Sequence, residues 1–324
     1  MSVDSSALFR ARESALQPMP ARAPLTSTES PSAEQAGLLA GQLKDHLYLL
    51  PHGCIYTSPW LSSAKPTSRS SACILLTAQR KPFEFTIGRH SFAHTALAVR
   101  PFQERGLRAE NRQLVSILVH PTHPEYRRFR AITNPGYQPL DRDAFNGAEE
   151  LLLAAYRGEL GIQGAQELLE TVINITVRYL PRVRGRELRH EQLLHMLQQN
   201  QNFQLNELAE AVGVSCARMP HVFARVVGLP WRSFQLWQKV RAVGIELGSR
   251  RSLTEIAITA GFSDSAHLSN TWHHAYGAAP SKFFNNEYVQ VHYGLGPEIV
   301  LKQSAPQATS CQCVCPRCGT EINH

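Results

Sequence analysis

The chain has 324 residues, 43% hydrophobic and 18% charged, a make-up that suits a globular protein with two ordinary cores and some linker. No apolar run reaches the roughly 18–20 residues of a membrane-spanning helix, and the opening residues, with Asp4, Arg10, Arg12 and Glu13, lack the apolar stretch of a secretory signal. A net charge of +7 favours a polyanionic partner, but the excess is spread out, and residues 185–290 hold 10 Lys or Arg against 8 Asp or Glu.

Residues 1–40 are rich in Ser, Ala, Pro and Thr without hydrophobic periodicity and read as a disordered arm. Over residues 41–135 the pattern becomes short strand-like runs, HLYLL, ACILLTA, FEFTIG, FAHTALAV and QLVSILVHP, separated by turn residues. Such spacing predicts a compact antiparallel barrel or sandwich. Residues 136–184 turn helical: AQELLETVINITVRYL places Leu168, Leu169, Val172, Ile173, Ile175 and Thr176 on one 3.6-period face. That face suits a homodimer contact or packing on the chain's own barrel. Cys54, Cys73 and Cys216 sit in apolar surroundings and read as small core residues.

Residues 185–290 contain an internal repeat. LAEAVGVS (208–215) aligns with IAITAGFS (256–263), and the match continues through Phe223 with Trp272, Gly228 with Gly277 and Pro230 with Pro280. Small Ala209 and Ala257 let two helices approach closely, and Gly213 and Gly261 can take the left-handed conformation that stops a helix. Ser215, and Ser263 or Asp264, are placed to cap the following helix, and Ser252 with Glu255 forms a capping box. Two helix-turn-helix motifs result, joined by a helix over WRSFQLWQKVRAVGIELG. A connector of that kind spans about 22 Å and could set two reading helices in neighbouring major grooves, which recur every ~34 Å.

These residues resemble the C-terminal domain of AraC/XylS-type transcriptional regulators, over about Glu187–Phe284. The resemblance is carried by SLTEIAITAGFSDSAHLSNTWHHAYGAAPSKFF, with its Ile-Ala pair, GF-x-D, aromatic-ended helix, Gly and Pro, and by LPWRSFQLWQKV. It implies an α+β chain, an N-terminal cupin-like β-barrel for sensing or dimerisation followed by an all-α domain with two helix-turn-helix motifs. It also implies double-stranded DNA and RNA polymerase as partners, and a bacterial, cytoplasmic transcription activator of the family's usual kind.

In the first reading helix the family's base-facing positions correspond to Ala217, Pro220 and His221, where Arg is common at His221. In the second they correspond to Ser265, Ala266, Ser269 and Asn270; Arg is typical at Asn270, and a basic pair at His273 and His274. Asn can bond adenine N6 and N7 together, so Asn270 shifts the expected readout from guanine to adenine. Pro220, just inside a helix starting near Ser215, would begin to cost a backbone hydrogen bond. Phosphate contacts would fall to Arg218, Arg225, Arg232, Lys239, Arg241, Arg250, Arg251 and Lys282. Met219, Phe223, Leu268 and Trp272 read as core, and Trp231 and Trp237 as packing residues.

Other chemistries fare less well. A metal-holding barrel needs clustered histidines and a carboxylate. His90 and His94, and His120 and His123 in HPTHP, read as surface or turn residues instead, and no phosphate loop or nucleophile elbow is present. A barrel enzyme with a degenerate helical appendage is the weaker alternative, and no catalytic residue is assigned. The barrel is left to bind a small-molecule effector or a partner subunit. In the tail, residues 291–324, Cys311, Cys313, Cys315 and Cys318 crowd into eight positions, and CPRCG resembles a zinc knuckle. A metal- or thiol-responsive regulator, holding zinc or another soft metal there, is the first alternative, ahead of the barrel enzyme.

Overall fold

Strand alternation in the first half of the chain produces one open sheet. The structure, a computed structural model, describes residues 44–63, 66–183, 188–199, 203–247, 249, 251–284, 288–294, 313–314 and 321–322. The strands are β1 (Asp45–Leu50), β2 (Gly53–Ser62), β3 (Ala72–Thr77), β4 (Phe83–Ile87), β5 (His90–His94), β6 (Ala96–Val99), β7 (Gly106–Val119), β8 (Tyr137–Pro139) and β9 (Val289–Tyr293). Their order is β8-β6-β3-β7-β2-β1-β9, and the β4–β5 hairpin branches from the start of β7. The pairing of β2 with β7 slips between Ser58 and Trp60, opposite a stretch where Asn111 and Gln113 take positive φ. Such a bulge bends the strand and strengthens its twist. Among the described residues β8 and β9 remain edges, so the expected barrel is an open sheet.

Pleating sends successive side chains to opposite faces, and here both faces are apolar. Tyr48, Leu50, Ile55, Ile74, Ile117 and Val119 point one way into a first core. Leu47, Cys54, Tyr56, Cys73, Leu75 and Leu118 point the other way into a second. The register agrees, setting Tyr48 beside Ile55 and Ile55 beside Ile117 on one face, and Leu47 beside Tyr56 on the other.

The first core is covered by helices from the middle of the chain. These are α1 (Tyr126–Arg130), α2 (Glu149–Arg157) and α3 (Ile162–Thr176), with a 3-10 turn at Arg142–Ala148. Leu168, Leu169, Val172, Ile173 and Thr176 of α3 are buried, as the 3.6-residue period requires, and Ile175 lies partly exposed beside them. Leu169 lies so close to Gly53 that a Cβ there would come within 2.8 Å of its Cδ1. The apolar face of α3 is therefore spent on the chain's own sheet. Cys54 and Cys73 are buried and Cys216 is partly buried, and burial pushes the Cys54 thiol up to about 12.

The fold also encloses histidines that the sequence reading placed at the surface. His120 and His123 are 7% and 4% exposed, because the HPTHP turn at the end of β7 packs against Trp237 and Glu170 rather than being displayed. Burial holds His46, His52, His94, His120 and His292 below the ordinary histidine value of 6.5. A histidine with a lowered folded pKa is protonated first in the unfolded chain. Its contribution is intact above about 6.5 and is lost as the pH falls from there towards the folded values. The thermal midpoint should thus hold steady from pH 8 to 7 and drop by several degrees by pH 5.5. A midpoint unchanged down to pH 5.5 would contradict this burial of neutral imidazoles.

Candidate nucleic-acid interface

The repeat seen in the sequence folds as two helix-turn-helix units. α4 (Leu188–Gln199) leads into α5 (Leu205–Ala211) and α6 (Met219–Val227); α7 (Trp231–Ile245) connects these to α8 (Leu253–Thr259), α9 (Ser265–Tyr276) and α10 (Pro280–Phe284). Both inter-helix turns use a left-handed glycine, Gly213 at φ +66° and Gly261 at φ +80°. Ala209 and Ala257 are buried where each pair of helices meets. Met219 and Phe223 of α6, and Leu268 and Trp272 of α9, fill the two small cores. Trp231 and Phe234 of α7 pack on Phe223 at ring distances of 4.8 and 5.1 Å, so the N-terminal end of the connector is anchored by aromatics.

The two units start their reading helices differently. In the second, Asp264 Oδ1 accepts from the His267 N–H at 2.7 Å, and that bond with Ser263 holds its carboxyl below the usual range. Ser252 and Glu255 complete the expected capping box of α8. In the first unit Ser215 does not cap by its side chain. Its carbonyl accepts from Arg218 and Met219 in an extra turn, and α6 begins four residues later than expected, at Met219. Pro220 is then the second helical residue, where no intrahelical N–H is needed, so the anticipated cost vanishes. A second capping box, Gln204 with Glu207 at the start of α5, escaped the sequence reading because Gln is an uncommon cap.

On α9, Ala266 and Asn270 are exposed four residues apart, with Ser265 and Ser269 partly exposed beside them and His273 extending the stripe. Ala217, Pro220 and His221 are exposed at the start of α6, although Ala217 lies in the turn before the helix. Arg218, Arg225 and Arg232 are exposed around this first face. The other proposed phosphate cations have structural engagements. Lys239 Nζ donates to the Gly261 carbonyl at 2.6 Å, Arg251 pairs with Glu246 at 3.4 Å, and Lys282 with Asp45 at 3.6 Å. Arg241 is turned inward, stacked on Trp237 with its guanidinium 5.8 Å from the ring, and burial lowers it to about 10. It belongs to the junction with the sheet and not to a phosphate surface. Arg250, Cys311, Cys315 and Cys318 lie outside the described residues; Cys313 falls in the short strand β10 (Cys313–Val314), paired with β11 (Glu321–Ile322).

Arg241 points to features that local sequence patterns did not reveal. The second sheet face and the second helix-turn-helix unit enclose a chamber of about 70 Å³, walled by Leu47, Tyr56, Trp237, Val240, Trp272 and Phe283. Arg69, His120 and Arg241 supply its polar side. The His120 ring meets Trp237 edge-on at 5.2 Å, and its Nδ1 is buried without a hydrogen-bond partner. Behind it, His123 Nδ1 accepts from the Glu125 N–H at 3.0 Å, so Nε2 carries the proton and faces Glu170 at 3.4 Å. That bond holds the Glu170 carboxyl below its usual range. The partners in this junction come from β7, α3 and α7, too far apart in the chain for any local pattern to link them.

Residues 208–286 match a family described as a helix-turn-helix domain. No curated protein sequence matches the chain. Among solved structures it is similar to ToxT from Vibrio cholerae, at 10% identity over 72% of this chain and 97% of that one, with a TM-score of 0.43. A ToxT structure with a bound unsaturated fatty acid aligns at 9% identity over 75% and 93%, with a TM-score of 0.41. The AraC-like transcriptional activator CuxR aligns at 12% identity over 53% and 67%, with a TM-score of 0.26. Residues 208–286 thus form a helix-turn-helix domain, the kind of module that binds DNA.

Proposed function

We propose that the protein binds an asymmetric duplex site through two unequal reading helices, in the bacterial cytoplasm and without catalysing a reaction, and that an effector in the chamber tunes this binding. The observation that carries the reading is the pair of exposed helices, α6 and α9, each set by its own glycine turn and joined by one 15-residue helix. The first unit supplies cations, with Arg218, Arg225 and Arg232 around its face, and few base-reading groups. The second supplies Asn270 and a helix without Lys or Arg. Anchoring and reading are thus divided between the units, since phosphate contacts position a protein and base contacts specify the site. The chamber lies where a ligand would touch both the sheet and the second unit. Its mostly apolar wall with a cationic side favours an effector with an apolar body and an electron-rich group. The resemblance to the family extends the reading to RNA polymerase as the partner on the bound promoter.

Selection from genomic fragments at moderate salt should enrich a short duplex, and failure to enrich any would overturn the proposal. On that duplex, Asn270→Ala should relax the preference at one base pair, by about 1–3 kcal/mol, and leave non-specific binding in place. Arg225→Ala should instead weaken all duplexes alike and lower the salt slope by about 0.9. If Asn270→Ala weakened all sequences equally, Asn270 would be a phosphate contact or a structural residue.

A further inference from the structure

After the second helix-turn-helix unit the chain returns to the sheet. β9 lies parallel to β1 with Asp45 beside Val289 and Leu49 beside Tyr293. The Asp45 N–H donates to the Tyr288 carbonyl at 3.0 Å and the Gly294 N–H to the Leu49 carbonyl at 2.9 Å, which extends the ladder at both ends. Val289 is fully buried, and His292 stacks on Tyr48 at 4.2 Å with Nε2 3.4 Å from His46 Nδ1. Just before the strand, Phe283 is buried against Tyr56 and Trp272, at ring distances of 5.9 and 5.5 Å.

A second holdfast grips the end of α9. The Ser68 N–H donates to the His274 carbonyl at 3.1 Å and Arg69 Nε to the Ala275 carbonyl at 2.7 Å. The Arg69 guanidinium also lies 5.3 Å from the centre of the Tyr276 ring. The first unit is held elsewhere: a Cβ on Gly228 would come within 3.0 Å of Arg130 Cδ in α1 and 3.5 Å of the Tyr126 ring.

We propose that β9 is a releasable clasp: paired to β1, it fixes the second helix-turn-helix unit in register with the first and keeps Trp272 and Phe283 on the chamber wall; unpaired, it loosens that unit from the sheet. This inference rests on the DNA-binding reading and adds its regulation. The clasp is suited to release. It is a five-residue edge strand, parallel to its single neighbour, with Tyr288 and Tyr293 exposed at its ends. Parallel pairing is the less stable kind per residue, and short edges open below the free energy of global unfolding.

Docking leaves Ala266 and Asn270 open to solvent, so the clasped state is the one able to read DNA. Holding two reading helices on one body raises the effective concentration of the second once the first is bound. The closed chamber, at about 70 Å³, is smaller than the roughly 150 Å³ cavity that takes up benzene. A bulkier effector enters at the expense of the clasp, and by linkage that same ligand weakens binding to the full site.

The ladder identifies the variant. With Asp45 N–H on Tyr288 and Gly294 N–H on Leu49, the N–H groups of Gln290 and His292 point at β1. Gln290 is exposed, so Gln290→Pro removes a ladder donor without touching the core, and Gln290→Ala keeps the donor as the control. In the full chain, hydrogen exchange should show Gln290→Pro losing protection at Asp45 and also at Ser68, while Ile74 in β3 stays protected. Its affinity for the full duplex should fall about tenfold or more, with half-site binding unchanged. Gln290→Ala should match the wild type in both. The clasp is overturned if Ser68 stays protected, if Gln290→Pro binds the full duplex like the wild type, or if Ile74 protection or half-site binding falls in parallel. Should the wild-type protein enrich no duplex at all, the DNA-binding reading fails, and the exchange at Ser68 still decides whether β9 holds the second unit.

Discussion

The molecule depends on a sheet that is apolar on both faces. An antiparallel sheet with one wet face would show apolar–polar alternation. Here β3 reads ACILLT with every residue buried, and β7 ends in six buried residues. A sheet of this kind must be covered twice. The middle helices cover one face together with the first helix-turn-helix unit, and the second unit, with α7 and α10, covers the other. Neither DNA-binding unit has a core of its own large enough to stand apart. Phe223 and Val227 continue into the core of Tyr126 and Phe129, as Trp272 and Phe283 continue into that of Tyr56 and Leu47. The sheet and the reading helices therefore share their cores, and a change on the second sheet face reaches the packing of α9.

This arrangement bears on how a weakly basic reading unit can function. The second helix offers Asn270, small residues and imidazoles where Lys or Arg would supply affinity, and Asp264 at its N-terminus is anionic. Charge near a helix N-terminus acts over about the first turn. The Asp264 carboxylate thus offsets part of the positive end of the α9 dipole, which would otherwise attract a phosphate. Binding through α9 alone would be poor. Rigid attachment to a first unit bearing Arg218, Arg225 and Arg232 changes the balance, because the second contact then costs little further translational and rotational freedom.

The helical half was legible because its signals are local. Gly213, Gly261, the Ser252–Glu255 box and the Phe223/Trp272 positions act within a few residues of themselves, and each is where the repeat placed it. The error at Ser215 was local too: a turn of backbone took over from the side-chain cap and moved the helix start to Met219, which made Pro220 harmless. The strands were legible as runs, but the pattern carried no information about closure, which depends on whether β8 and β9 can meet. What stayed hidden was non-local. Arg241 was read as a phosphate contact beside Lys239, and its inward turn requires Trp237 and the buried HPTHP turn, whose position nothing in the α7 sequence encodes. VQVHY after the last helix was divided between the helical domain and the tail and not read as a strand, since a five-residue strand pairing with residues some 240 positions earlier leaves no periodic trace near itself.

The same non-local strand explains why the chamber sits where it does. β1 contributes Leu47, Leu49 and Leu50 to its wall, and β1 is the strand that β9 covers. Without β9, β1 would be an open edge presenting unpaired N–H and C=O groups. Among the described residues the second unit would then keep the Ser68 and Arg69 contacts and the Lys282–Asp45 pair besides its apolar packing. Closing that edge with a segment from the DNA-binding half satisfies the backbone of β1, which lines the chamber, and ties the unit carrying α9 to the same strand. Any ligand that senses the chamber therefore also senses the register of the second reading helix.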